Sequence, residues 1–278
     1  MMGARRRRLR KRRSGSESEG LWKAGLIAAV ACALFAGGAW IYMEAASANP
    51  KIDQATLCPA GGPTGVAAVL IDTTDTLSPV QRLDVLNKLR GLREELPRGW
   101  LVAIYPVKST PEQPPRASLS LCNPGRGEGL SQLTSNPALV EKRWRQAFDT
   151  PLQDLLGSLV AAGQGTSSPI METIQSVAVA EFGDPDKKSL PRRLVLVSDM
   201  LQYSQKLSQY NGTRAFGEFA KTDAYRSLKS DLRDVDVEIL YVSRANQERR
   251  QNADHIAFWT DFFADEGASI SRIVRISG

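Results

Sequence analysis

The stretch GVAAVLIDTTDTLSPVQ, residues 65–81, carries the signals that decide the fold. Residues 65–71 form an unbroken apolar run, the pattern of a parallel strand buried on both faces. Ser78, Pro79 and Gln81 read as a helix start: serine at the N-cap, proline at the first position, and glutamine placed to close a capping box. Between strand and helix, Asp72, Thr73, Thr74, Asp75 and Thr76 crowd oxygen-bearing side chains into one short loop. Strand, oxygen-rich loop and helix, in that order, make the opening unit of an α/β sheet whose ligands gather at strand carboxyl ends.

The rest of the chain repeats that alternation. Val80, Leu83, Leu86 and Leu89 recur three apart, so an amphipathic helix is expected to run to about Leu96, where Pro97 ends it. Residues 100–107 read as a second strand, and residues 116–122, shorter and alternating, as a third at an edge. Asn136-Pro137 opens a helical region reaching about Ala162, kinked or restarted at Pro151. A loop at 163–169 precedes a helix at 170–180. Strands are expected at 192–199, 235–243 and 269–277, and helices at 213–232 and 249–265. The order β-α-β-β-α-α-β-α-β-α-β predicts a doubly wound, mostly parallel six-stranded sheet with one antiparallel edge strand, a Rossmann-like α/β fold. No internal repeat is present, and no low-complexity run beyond an arginine-rich tail.

That tail explains the charge. The formal net charge is +6, but residues 1–23 hold nine Lys/Arg against Glu17 and Glu19, a local +7, so the remaining residues sum to −1. The basic character belongs to the tail, and the charge of the folded body does not support a general nucleic-acid-binding surface. Residues 24–43, AGLIAAVACALFAGGAWIYM, carry no charge. At ~1.5 Å per residue they span about 30 Å, the thickness of a bilayer's hydrocarbon core. Trp22 flanks one end, and Trp40 and Tyr42 the other, where interfacial aromatics belong. A transmembrane helix is therefore expected, with the basic tail cytoplasmic and residues 44 onward periplasmic or extracellular at the inner or plasma membrane. The tail serves as a topology signal or binds anionic headgroups. Ala46-Ser47-Ala48 has the small-x-small pattern of a cleavage site, but the apolar run is longer than a signal peptide's, which favours an uncleaved anchor. Residues 44–64, small, polar and rich in Gly and Pro, read as a linker to the domain at 65–278. Cys32 falls in the span. Cys58 and Cys122 fall outside it, where a disulfide is permitted.

Asp72 and Asp199 each follow a buried strand. Two acids at neighbouring strand ends repel unless something positive lies between them, and a hard divalent cation with oxygen ligands suits that place. Asp72, Thr74 and Thr76 form D-x-T-x-T, a spacing that aims one carboxylate and two hydroxyls at one point. This resembles the metal-ion-dependent adhesion site of the von Willebrand factor type A (VWA) family, whose motif is D-x-S-x-S. Gly165-Thr166 before a helix matches the family's third ligand loop, and Asp199 its later strand-end aspartate. The resemblance covers roughly residues 64–278. It implies Mg²⁺, or Mn²⁺ or Ca²⁺, held by Asp72, Thr74, Thr76 and Thr166, with Asp199 acting through water. It also implies an open coordination position for a carboxylate of a partner protein. Met200 stands where many members have Gly. Asp75 is extra, either an acceptor behind the ion or a turn cap. In this fold Cys58 precedes the first strand and Cys122 ends the antiparallel one, both at the end away from the ion, which implies a Cys58–Cys122 staple.

Enzyme chemistry has little support. The one histidine, His255, lies in QNADHIAFWTDFF, where a helix-surface or capping role is expected. No nucleophile elbow, phosphate-binding loop or cysteine cluster with zinc spacing occurs. Asp72 and Asp75 are three apart, unlike the D-x-D-x-T of haloacid-dehalogenase phosphatases, so a metal-assisted hydrolase ranks behind protein binding, and no small-molecule substrate is expected. The other competing reading is a metal-free scaffold in a membrane assembly. Asn211-Gly212-Thr213 is a glycosylation sequon, relevant only in a eukaryotic secretory pathway.

Overall fold

The computed structural model describes residues 15–47, 52–110, 116–130, 132, 135–163, 165–211 and 215–277. Residues 1–14 of the basic tail, Ala48 of the small-x-small pattern, and Gly212 and Thr213 of the sequon lie outside them. The chain divides into two units, Met1–Pro50 and Lys51–Gly278. The first is built on one helix, α1 (Gly15–Ser47). Within it Trp22–Met43 is long and apolar enough to cross a membrane, and none of it is buried by protein. The helix overruns the expected span, 24–43, at both ends. Residues 44–64, read as a linker, are structured over much of their length. Residues 44–47 are helical, and Ile52 bridges Pro59 around a turn in which Asp53 accepts from the backbone N–H of Thr56 at 2.8 Å.

The second unit is organised by β1 (Gly65–Asp72), buried at every position. Val66, Ala68 and Leu70 point into one apolar layer, and Ala67, Val69 and Ile71 into the other. A strand apolar on both faces belongs mid-sheet, and β1 pairs in parallel with β2 (Trp100–Val107) on one side and β4 (Arg192–Ser198) on the other. The short β3 (Leu119–Cys122) adds antiparallel to β2, while β5 (Val235–Val242) and β6 (Ser269–Ile276) continue in parallel from β4. The order is β3-β2-β1-β4-β5-β6, a doubly wound α/β sheet with one antiparallel edge strand. Strand order reverses between β1 and β4, so the crevice expected to take ligands lies between Asp72 and Asp199.

Helices cover both faces. The first layer holds α5 (Ile170–Val177) and α8 (Ala253–Asp265), and the second holds α2 (Pro79–Glu95) and α4 (Thr150–Ala161). The capping box forms: Gln81 N–H donates to Ser78 Oγ at 3.2 Å, and Ser78 N–H to Gln81 Oε1 at 3.1 Å. Gln81 Nε2 also donates to the Ser243 carbonyl at 2.6 Å, which ties the start of α2 to the end of β5. Burial of Val85 and Leu89 in the apolar layer sets the phase of the helix. The buried stripe is Gln81, Val85, Leu89 and Arg93, while Val80 and Leu83 are exposed at 60% and 64%. Residues three apart drift around a 3.6-residue helix, so the three-apart apolar series does not mark the inner face.

Two other elements depart from expectation. The region 136–162 is α3 (Pro137–Trp144), a π-helical turn at Arg145–Asp149, and α4. Thr150 N–H reaches back five residues to the Arg145 carbonyl, the slip that accommodates Pro151 without breaking the helix. The expected helix at 213–232 is instead α6 (Phe216–Phe219) and α7 (Asp223–Arg226). Thr222 interrupts the run, since its side chain accepts from Tyr225 N–H and starts a new helix. Phe216 then stacks edge-on against both Tyr225 and Phe258, at 5.3 and 5.7 Å between centroids. Aromatic packing onto α8 outweighs helical continuity there.

Cys58 and Cys122 are joined by a disulfide. Cys122 pairs with Leu101 near the start of β2, at the end of the sheet opposite Asp72. The two cysteines are 64 positions apart, and closing a loop of that length contributes about 4 kcal/mol. Cys58→Ser/Cys122→Ser is expected to lose about that much in urea denaturation, and an unchanged midpoint would refute the staple.

Candidate metal centre

Asp72 ends β1 with its side chain buried. Its Oδ1 accepts from the Thr74 N–H at 3.0 Å and from the Thr74 hydroxyl at 2.6 Å. Its Oδ2 accepts from Ser198 Oγ at 2.7 Å and Ser168 Oγ at 3.1 Å. Three hydroxyls, from the loop after β1, the loop before α5 and the last residue of β4, thus meet on one carboxylate. A hydroxyl that donates its proton keeps its lone pairs, so Thr74 and Ser168 still have oxygen to offer a cation.

Asp199 follows β4 at the neighbouring strand end and is 1% exposed. Its Oδ1 accepts from Leu201 N–H at 2.9 Å and its Oδ2 from Arg244 Nε at 2.8 Å. Burial raises the Asp199 carboxyl above the ordinary range, the Asp72 charge raises it further, and Arg244 opposes both.

Glycine lets the loops meet. Gly165 N–H donates to the Thr74 carbonyl at 2.8 Å, and a Cβ at Gly165 would lie 2.6 Å from Thr74 Cβ. Of the hydroxyls behind it, Ser168 turns inward. A two-way backbone bridge to Tyr203, 2.8 and 2.9 Å, holds that residue. Thr166 is exposed, and its N–H donates to Ser109 Oγ at 2.9 Å. Thr76 and Asp75 are also exposed, and the Thr76 carbonyl accepts from Arg244. Of the five residues expected at the site, Asp72 and Thr74 are in contact and Asp199 sits at the adjoining strand end. Thr76 and Thr166 lie on the rim.

Beside Thr74 and Ser168 opens a polar cleft of about 420 Å³, walled also by Asp75, Thr166, Tyr203 and Tyr210. Tyr203 and Tyr210 meet edge-on at 5.5 Å. Burial and the nearby carboxylates, Asp199 first, push the Tyr210 hydroxyl up to about 12. The donor set at the cleft's inner wall contains oxygen alone, which fits a hard divalent cation. Among the described residues no three His, Cys, Asp or Glu side chains are grouped to hold a metal, so hydroxyls and water would complete the shell.

Sequence reasoning missed Ser168, Ser198, Arg244 and the setting of His255. His255 is fully buried, not on a helix surface. Tyr241 OH lies 2.8 Å from its Nδ1, and the Met200 carbonyl and Gln209 Oε1 each lie 3.1 Å from its Nε2. Trp259 Nε1 also lies 3.3 Å from Nε2. Trp259 Nε1 donates to the same Met200 carbonyl at 2.8 Å. Met200 itself holds a left-handed backbone, φ 61°, a conformation glycine adopts most readily, and its side chain is buried in the core. The backbone following Asp199 is therefore pinned from beneath by α8.

No family model matches the chain, and no curated protein matches it. Among solved structures, it is similar to the conserved hypothetical protein BatB from Bacteroides thetaiotaomicron, with 11% identity, TM-score 0.37, and 77% of this chain and 91% of that chain covered. It is also similar to an aerotolerance-related membrane protein from Bacteroides fragilis NCTC 9343 carrying multiple mutations to serines, with 11% identity, TM-score 0.33, and coverage of 77% and 92%.

Burial lowers His255 to about 4 from an ordinary 6.5. The unfolded chain takes up the proton first as pH falls, so this contribution is complete above pH 6.5 and is lost on the way down to about 4. The loss is on the order of 3 kcal/mol. Denaturation midpoints of His255→Gln are expected to fall less between neutral and acidic pH than those of the parent. Equal slopes would contradict this.

Proposed function

We propose that the chain is a membrane-anchored protein whose VWA-like domain binds a partner protein through a divalent cation. The observation that carries this reading is the convergence of the Thr74, Ser168 and Ser198 hydroxyls on Asp72, at the strand-order reversal and beside an open polar cleft. Asp72, Thr74 and Ser168 would hold the ion directly, and Thr76, Thr166 and Asp199 would bear on it through water. When bound, the ion supplies a Lewis-acidic position that a partner's carboxylate can fill. The chain's own residues do the positioning. Gly165 lets the third loop lie on the first, Ser198 orients the Asp72 carboxylate, and Asp199 keeps negative charge nearby. Anchoring is supported by Trp22–Met43, and a cytoplasmic N-terminus by the arginines at 5–8, 10, 12 and 13.

A metal-free scaffold is the second reading, favoured by one observation: Arg244 already pairs with Asp199. Calorimetric titration of Mg²⁺ and Mn²⁺ into the full chain in detergent separates the two. Saturable binding in the parent that disappears in Asp72→Ala is expected. Identical heats in both proteins would favour the scaffold.

A further inference from the structure

Arg244 lies just past β5, and its guanidinium joins two loops that do not otherwise depend on it. Nε donates to Asp199 Oδ2 at 2.8 Å, and Nη1 donates to the carbonyl of Thr76. The pair is well shielded, with the arginine side chain 15% and the aspartate 2% exposed. The arrangement is built from behind. Arg244 N–H donates to Gln251 Oε1 at 2.7 Å, while Gln251 Nε2 donates to the carbonyls of Asp199 at 3.1 Å and Val242 at 2.8 Å. One buried glutamine therefore fixes the arginine's backbone, the aspartate's backbone and the end of β5. Arginine stays charged in any protein environment, so this positive charge is permanent.

From this geometry we propose that Arg244 is a chain-borne counter-ion, which locks the Asp199 loop to the Thr76 loop without metal and lowers the affinity of the neighbouring Asp72 site for divalent cations. The strand ends hold Asp72 and Asp199 against Arg244, a net of one negative charge. A cation arriving at Asp72 therefore meets less attraction than two uncompensated carboxylates would offer. The loops are thus assembled before any ion arrives. The second half of this inference rests on the metal reading of Asp72, and the first half does not.

The test uses the full chain in detergent, with Arg244→Gln, Arg244→Lys and the pair Asp199→Asn/Arg244→Gln. In chelator, Arg244→Gln is expected to lower the Tm by roughly 10 °C, because a buried carboxylate loses its partner. The double variant is expected to recover much of that loss, since it removes both charges. With Mn²⁺ as the probe, Arg244→Gln is expected to bind roughly tenfold more tightly than the parent and to regain stability. Arg244→Lys is expected to keep the parent's weak affinity while losing part of the Tm, because lysine keeps the charge but not the two-pronged donor geometry. Loss of stability in chelator, rescue in the double variant and no Mn²⁺ binding by any variant would uphold the counter-ion and sink the metal reading. An unchanged Tm for Arg244→Gln, or a double variant no more stable than Arg244→Gln alone, would overturn the lock. Mn²⁺ binding that is equal or weaker in Arg244→Gln would overturn the effect on affinity.

Discussion

Two carboxylates buried at the ends of adjacent parallel strands set the terms for everything around them. Both side chains are buried, and the Asp72 charge raises the cost of ionising Asp199. The fold answers the two differently. Asp72 is wrapped by hydroxyls from two loops and the end of β4, which satisfy its oxygens and retain lone pairs. Asp199 is given a full positive charge from Arg244. The asymmetry gives one acid neutral hydroxyl partners and the other a full counter-charge.

Keeping that arrangement in place is the work of the sheet and its two apolar layers. Because β1 is buried on both faces and paired on both sides, Asp72 leaves the core at a fixed point. The capping box starts α2 at the far end of the same loop, and Gln81 links it to β5. On the other side, His255 and Trp259 of α8 grip the Met200 carbonyl and hold the loop after Asp199. At the opposite end of the sheet the Cys58–Cys122 bond ties the segment before β1 to the antiparallel edge. The oxygen-lined cleft is therefore an opening in a rigid frame.

Much of this was legible in the sequence because it is local. The apolar run at 65–71, the Ser78-Pro79-Gln81 start and the two strand-end aspartates each declare themselves within a few residues, and their order fixes the sheet. What escaped is decided at a distance. Thr166, Ser167 and Ser168 are three adjacent hydroxyls, and which one turns inward depends on a backbone bridge to Tyr203, a residue far along the chain. The Gly-Thr pattern therefore pointed at Thr166 while Ser168 makes the contact. Val80 and Leu83 have apolar spacing, yet the helix buries Gln81, Val85 and Leu89 against the sheet and leaves those two facing outward. Arg244 carries no local signal among 36 Lys and Arg residues, and only the folded loops give it a partner. His255 sits where a helix surface was expected because Tyr241 and Gln209, from other elements, supply its polar contacts.

The most direct test of the account is anomalous diffraction from crystals of the chain soaked in Mn²⁺. The account predicts one peak on the cleft side of Asp72, about 2.2 Å from oxygens of Asp72, Thr74 and Ser168, with Arg244 still paired to Asp199. No peak at Asp72 under saturating Mn²⁺, or a peak bound through Asp199 with Arg244 displaced and Thr74 uninvolved, would contradict it.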